Sequence, residues 1–152
     1  MVTIGDYAYY INHDESTNDI VLIKHYTRNV TSGNFGSICL PNGASVSDLT
    51  DTGIAKVLEV TEITTDRVVM DEVDEMVAGV PYIFKSNDAA INLTLKGETV
   101  AEPNNSTQNY LVGNFEPTGV PNSNSDADYN YYILQSNQFK KVTSETIKSG
   151  KN

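Results

Sequence analysis

The chain reads as an all-β fold, an antiparallel β-sandwich or jelly roll of about ten short strands with at most one or two helical turns. Apolar residues recur with the period of a strand, two, rather than that of a helix. The segments between the apolar runs are rich in Gly, Asn, Ser, Thr and Asp, the residues that form turns. Two of the runs, 37–41 and 78–85, are bounded by a proline or a glycine that fixes where a strand stops or starts.

The first elements are Tyr7-Ala8-Tyr9-Tyr10-Ile11 and the β-rich run 19–26, joined by the polar loop 12–18 as a hairpin. Ser37-Ile38-Cys39-Leu40-Pro41 follows. The run 55–63 alternates, with Lys56, Leu58, Val60 and Glu62 on one face and Val57, Glu59, Thr61 and Ile63 on the other. Both faces are mixed, as in a strand that is partly covered. Thr64-Thr65-Asp66 turns the chain into Arg67-Val68-Val69-Met70, a second hairpin.

In 71–77, Val73, Met76 and Val77 fall at i, i+3 and i+4, which predicts a short helical turn. In 78–85, Gly79 permits a positive φ and Pro81 opens a strand where no ladder N–H is needed. Val80, Tyr82 and Phe84 then point inward, with Ile83 and Lys85 on the other face. Further strands are expected at 90–95, 110–115, 129–135 and 139–142. The stretches 101–109 and 117–128 have the Asn/Ser/Pro composition of exposed loops. No internal repeat or linker divides the 152 residues, so one domain spanning 1–152 is expected.

Composition narrows the function. A chain of this length buries roughly 70% of its unfolded surface, enough for one core. The 39% hydrophobic content and mean hydropathy of −0.33 suit a soluble protein, and no window approaches a bilayer-spanning apolar run. Ten Lys and Arg against 20 Asp and Glu give a net charge of −10, which repels phosphate backbones and argues against nucleic acid. Cys39, the single cysteine, lies in the apolar run Ile38-Cys39-Leu40 and is expected in the core. The start, Met1-Val2-Thr3-Ile4-Gly5-Asp6, has neither a basic nor an apolar leader region, so no export signal is expected in these residues.

Few constellations carry chemistry. Asp71, Glu72, Asp74 and Glu75 are carboxylates that diverge on a helical turn and read as solvated surface. Asn122, Asn124, Asp126 and Asp128 space oxygen ligands at i, i+2, i+4 and i+6 and form a candidate Ca²⁺ loop. That loop lacks the glycine and the bidentate glutamate of an EF-hand. His13-Asp14-Glu15 are neighbours in a hairpin loop whose side chains point apart. No phosphate loop, Cys/His metal spacing or nucleophile elbow occurs, so neither catalysis nor a cofactor is expected.

Nine tyrosines and no tryptophan leave an aromatic signal. Tyr7, Tyr9 and Tyr10, with Tyr129, Tyr131 and Tyr132, either pack across strands or present faces to a sugar or protein. Tyr129, Tyr131, Asn124, Asp126 and Asp128 are the candidate ligand-binding residues.

The order 35–41, 53–60 and 78–85 resembles a β-sandwich module of secreted and surface proteins from Bacteroides-type gut bacteria, some of which carry leucine-rich or immunoglobulin-like repeats. Its patterns "T-x-C/S-L-P-F", "G-A-K-V-Y-x-L" and "A-G-x-P-Y-L/I-I-K" are matched by Ser37-Ile38-Cys39-Leu40-Pro41, Gly53-Ile54-Ala55-Lys56-Val57-Leu58 and Ala78-Gly79-Val80-Pro81-Tyr82-Ile83-Phe84-Lys85. A later "Y-x-L-x…F" hairpin is matched by Tyr132-Ile133-Leu134 and Phe139. Asn42 stands where the pattern has an aromatic, and the sequence ends at Gly150-Lys151-Asn152 where the pattern continues into another strand.

The resemblance implies a secreted or cell-surface location and a non-catalytic interaction or spacer role, with a protein or glycan partner at the cell surface. The alternatives are a carbohydrate- or host-ligand-binding, adhesin-like module, and an accessory domain of a glycan-degrading enzyme with a carboxylate pair in a polar cleft. A missing last strand implies an unpaired edge near 139–142, covered by another segment or by strand-mediated self-association.

Overall fold

The computed structural model describes residues 2–4, 7–14, 16, 19–96, 110–112, 118–120, 130–143 and 147–149. Among these residues the fold is all-β, without a helix, in several antiparallel sheets. The strands are β1 (Val2–Ile4), β2 (Tyr7–Asp14), β3 (Asp19–Asn29), β4 (Phe35–Cys39), β5 (Ala44–Ser45), β6 (Ile54–Ile63) and β7 (Val68–Glu72). They continue as β8 (Glu75–Met76), β9 (Pro81–Ser86), β10 (Ala90–Leu95), β11 (Thr118–Val120), β12 (Tyr132–Gln135), β13 (Gln138–Lys141) and β14 (Ile147–Ser149).

One four-stranded sheet has the order β1-β2-β3-β10 and the other β4-β9-β6-β7. Side chains from both meet in one buried cluster. Tyr26, Ile91, Leu93 and Leu95 enter it from the first sheet, and Ile38, Ile54, Val57, Tyr82 and Phe84 from the second. Leu40, just past β4, joins them. Two antiparallel sheets that share a core in this way are consistent with a β-sandwich.

The alternation expected of 78–85 holds, but its outer face is covered as well. Ile83 is buried with Leu58 and Val60 in a second cluster, against which Phe35, Leu111, Leu134 and Phe139 pack. The hairpin β12–β13 thus lies over the second sheet on the side away from the first. Strand β6 serves both clusters because a register shift between Ile54 and Lys56 lets Ile54 and Val57 face one and Leu58 and Val60 the other. Its far end, Thr61 to Ile63, is exposed.

Turn chemistry explains the connections. The β2–β3 hairpin keeps its register up to Asp14 opposite Asp19, so the strands run further into the expected loop 12–18. At the β6–β7 turn, the Thr64 N–H donates to the Arg67 carbonyl at 2.9 Å and the Thr64 hydroxyl to Asp66 Oδ1 at 2.9 Å. Ser136 and Asn137, with φ of 51° and 62°, make the two-residue turn of β12–β13 with both centres left-handed, the type I′ geometry that follows the strand twist. Asn137 tolerates that region better than most side chains.

The helical turn expected at 71–77 does not form. Glu72 pairs with Leu58, the Val73 N–H donates to the Val57 carbonyl at 3.0 Å, and Glu75 and Met76 pair with Ser45 and Ala44. With those backbone groups committed to neighbouring strands, the i, i+3, i+4 spacing has no face to serve: Met76 is buried while Val77 is 59% exposed. The other boundary differences are smaller. Tyr110 to Val112 are not in a strand, 130–131 precede β12, and the expected loop 117–128 contains β11, paired with β14.

Gly79 has φ of 77°, its N–H donates to the Leu40 carbonyl at 2.7 Å, and β9 begins two residues later at Pro81. Gly79→Val is therefore expected to cost about 1–3 kcal/mol through left-handed strain. An unchanged melting temperature would contradict the turn.

Candidate functional site

The loop from β3 to β4 crosses between the two large sheets and frames a cleft. Ser86, fully buried at the end of β9, knits it together. Its hydroxyl lies 2.7 Å from the Thr31 carbonyl and 3.0 Å from that of Asn34, sharing one proton between two acceptors. The Ser86 N–H donates to the Asn34 carbonyl at 2.9 Å, and the Gly33 N–H to the Ser86 carbonyl at 3.1 Å. Gly33 sits at φ of 80°. Four backbone and side-chain bonds so hold a short polar loop in one shape.

The hairpin β12–β13 clasps the same loop. Asn137 Oδ1 accepts from the Phe35 N–H at 2.7 Å, and its Nδ2 donates to Asn34 Oδ1 at 3.1 Å. Arg28 closes the next position along β4 by donating from Nη1 to the Ser37 carbonyl at 2.9 Å. Strand β4 is the edge of its sheet, and these two side chains occupy backbone groups that a further strand would otherwise take.

Between them lies a cleft of about 380 Å³, lined chiefly by Arg28, Thr31, Asn34, Phe35, Gly36 and Phe84. Gly36 forms part of its wall. A Cβ there would lie 2.6 Å from Phe84 Cζ, so the Phe84 ring covers the bare backbone of its cross-strand partner. Arg28 stands opposite the fully buried Ile91 in register, on the inward face of β3 at its open end. The lining combines one guanidinium with amide, hydroxyl and backbone groups, and with aliphatic and aromatic carbon.

Two other inward polar groups are structural. Lys24, opposite Leu95, donates from Nζ to Oδ1 of the buried Asn42 at 3.0 Å, and partial burial lowers its ammonium pKa. The Tyr82 hydroxyl accepts from the Val77 N–H at 3.0 Å, and desolvation raises its pKa.

Cys39 departs from the expected core position. Strand β4 alternates, so Gly36 and Ile38 face the shared cluster while Phe35, Ser37 and Cys39 face the other way, and Cys39 is half-buried. Its thiol lies 3.4 Å from the Gly79 carbonyl, and desolvation pushes its pKa up to about 11. Alkylation by iodoacetamide is expected to be slow at neutral pH and to accelerate towards pH 11, because the thiolate is the nucleophile. Because the folded state holds this proton more tightly, the thiol's contribution to stability is intact below its unfolded pKa and falls as pH rises through about 11. Rapid neutral labelling of the folded chain would contradict the placement.

Of the sequence-derived ligand residues, Tyr131 is half-buried and its carbonyl accepts from the N–H of the buried Val142 at 2.9 Å. Tyr129, Asn122, Asn124, Asp126 and Asp128 lie outside the described residues. Asp71, Glu72, Asp74 and Glu75 are exposed, and Glu75 pairs with Lys96 at 3.1 Å. Among the described residues no group of three or more His, Cys, Asp or Glu side chains is placed to hold a metal ion. His13 and Asp14 belong to β2 rather than to its loop, and Glu15 lies outside the described residues. No described helix is long and apolar enough to cross a membrane.

Sequence reasoning missed Arg28, Asn34 and Gly36. Their signal was the run Arg28-Asn29-Val30-Thr31-Ser32-Gly33-Asn34-Phe35-Gly36, with two glycines three residues apart between β-rich segments. In comparisons with known proteins, no family model, curated protein or solved structure matched this chain.

Proposed function

We infer that the chain is a non-catalytic interaction module of an exported bacterial surface protein. The compartment rests on the resemblance carried by 35–41, 53–60 and 78–85. The interaction role rests on where the apolar side chains lie. Tyr26, Tyr82 and Phe84 fill the core, whereas Tyr132 is 53% exposed, Tyr110 50% and Val112 72%. Their sequence neighbours Leu134 and Leu111 are anchored on Leu58, Val60 and Ile83, so the exposed groups stand on a rigid layer. Amphipathic rings on rigid backing suit contact with a protein or a sugar face.

A carbohydrate- or host-ligand-binding role is the second reading, favoured by the cleft beside Arg28. Strand-mediated contact with a further copy is a third form of partnership, read out by light scattering. The test of the main reading is a glycan array and a panel of purified surface proteins, probed with the wild-type chain and Tyr132→Ser. A bound partner lost on substitution supports the interaction role. Binding of nothing above background leaves a spacer, and turnover of any glycan would contradict the non-catalytic reading.

A further inference from the structure

We propose that β7 pairs with β7 of a second copy, antiparallel about a two-fold axis at Val69, so that the chain self-associates through that edge of its second sheet. This rests on the strand-mediated partnership above and names its strand, register and occupant.

The other edges of the two large sheets are short or capped. Strand β1 has three residues. Along β10, the Asn92 N–H donates to the Thr52 carbonyl at 2.8 Å and the Lys96 N–H to the Gly43 carbonyl at 2.7 Å. Asn137 and Arg28 cap β4. Strand β7 pairs with β6 on one side and with no described strand on the other. A bare edge of that kind recruits a strand. At its two ends, the Thr64 N–H bonds to the Arg67 carbonyl and the Val73 N–H to the Val57 carbonyl, which turns the odd-numbered residues towards β6. Alternation then leaves the N–H and C=O groups of Val68, Met70 and Glu72 facing outward.

The sequence of this edge complements itself when reversed. In Arg67-Val68-Val69-Met70-Asp71, a two-fold at Val69 sets Val68 against Met70 of the second copy, both with outward groups, so each such pair exchanges both hydrogen bonds. Val69 meets Val69. Arg67 then faces Asp71 at each end, in the closer non-hydrogen-bonded geometry that lets side chains interact. A two-fold at Val68 or Met70 also matches backbone groups, but it sets Arg67 opposite Val69 or Val73 and forfeits the ion pairs. The next pair outward, Asp66 with Glu72, is like-charged and ends the ladder.

Charge and burial within one copy favour the same occupant. Asp71 stands opposite Glu59 on β6, two exposed carboxylates in register. Arg67 is exposed and makes no ion pair among the described residues, where the pair present is Lys96 with Glu75. Pairing brings the second copy's guanidinium to that acidic position. On the opposite face, Val68 and Met70 pack against the second cluster, and Ile63, opposite Val68, is 50% exposed. Met70 of the second copy extends that apolar row.

The test combines sedimentation equilibrium of the full chain with amide exchange by NMR. A dimer is expected with a dissociation constant on the order of 0.1 mM, weak because the shared ladder is short. Arg67→Asp and Asp71→Arg, both at exposed positions, are each expected to weaken it at least about tenfold by opposing like charges. An equimolar mixture of the two variants restores both ion pairs and is expected to associate about as tightly as the wild type. The Val68 and Met70 amides are expected to gain protection with concentration, while those of Val69 and Asp71, directed at β6, stay constant. Unchanged circular dichroism certifies the fold of each variant.

A wild-type chain still monomeric at about 1 mM would overturn this pairing and the strand-mediated partnership together. A dimer that both single variants retain, or one whose Val68 and Met70 amides exchange as in dilute solution, would overturn β7 alone and leave that partnership to another edge. Failure of the mixed variants to associate would overturn the register. The glycan array and Tyr132→Ser result stand apart from all of these outcomes.

Discussion

Gly53→Ala is expected to lower the melting temperature by about 10 °C, from a loss of about 3 kcal/mol. Gly53 closes the turn before β6 with φ of 74°, a region costly for any residue bearing a Cβ. Space is the larger problem. A Cβ at this position would lie 1.9 Å from the Ala90 carbonyl oxygen and 3.3 Å from the Ile91 Cα. Those atoms belong to the backbone of β10 and cannot rotate aside.

The same contact carries the link between layers: the Asn87 N–H donates to the Gly53 carbonyl at 3.0 Å and the Asn92 N–H to the Thr52 carbonyl at 2.8 Å. Moving β10 away to admit a methyl group would loosen both bonds and lift Ile91 from the core. Thermal unfolding by circular dichroism measures the effect. A loss below about 1 kcal/mol would mean that the turn is not built as described.

Phe84→Ala is expected to cost about 3–5 kcal/mol, the usual range for emptying a fully buried aromatic site. On the β4 side the ring cannot be replaced from nearby, because its cross-strand partner there is Gly36, which offers no side chain to collapse inward; its partner on β6 is the buried Val57. Glycine and phenylalanine form a fitted pair here, the ring shielding a backbone that would otherwise weaken an edge strand. Coupling follows from the fit. Gly36→Ala alone drives a methyl into Phe84 Cζ and Cε1 and is expected to destabilise by about 1–3 kcal/mol. In a Phe84→Leu background the same substitution is expected to cost less, and a double-mutant cycle by urea unfolding reads the difference. Additive costs would mean that ring and backbone do not touch.

The strands were legible where burial is strictly alternate and the turn residues are unambiguous. Ala90–Leu95 appears with the expected bounds because Ile91, Leu93 and Leu95 are buried and the residues between them exposed. Gly79 and Pro81 act as expected because each restricts the backbone by its own covalent structure. The failure at 71–77 has a physical source as well: three apolar residues in seven satisfy a helical spacing, while partners far away in sequence, Ser45 and Leu58, decide the backbone bonding. The second cluster was hidden for a similar reason. Ile83 and Val60 look like the outward side of a partly covered sheet until a hairpin from 132–141 lies over them.

The cleft was the least legible feature. It brings together the Gly36 backbone, a cation whose neighbours are set by tertiary structure, and an asparagine clasp 102 residues distant along the chain. None of these forms a local pattern.

The central claim is that two antiparallel sheets close on one shared core. Nuclear Overhauser contacts between the methyl groups of Ile91, Leu93 and Leu95 on β10 and the rings of Tyr82 and Phe84 on β9 test it most directly. Cross-layer contacts from these methyls to these rings are expected. Their absence, with those methyl groups accessible to a soluble paramagnetic probe, would contradict it.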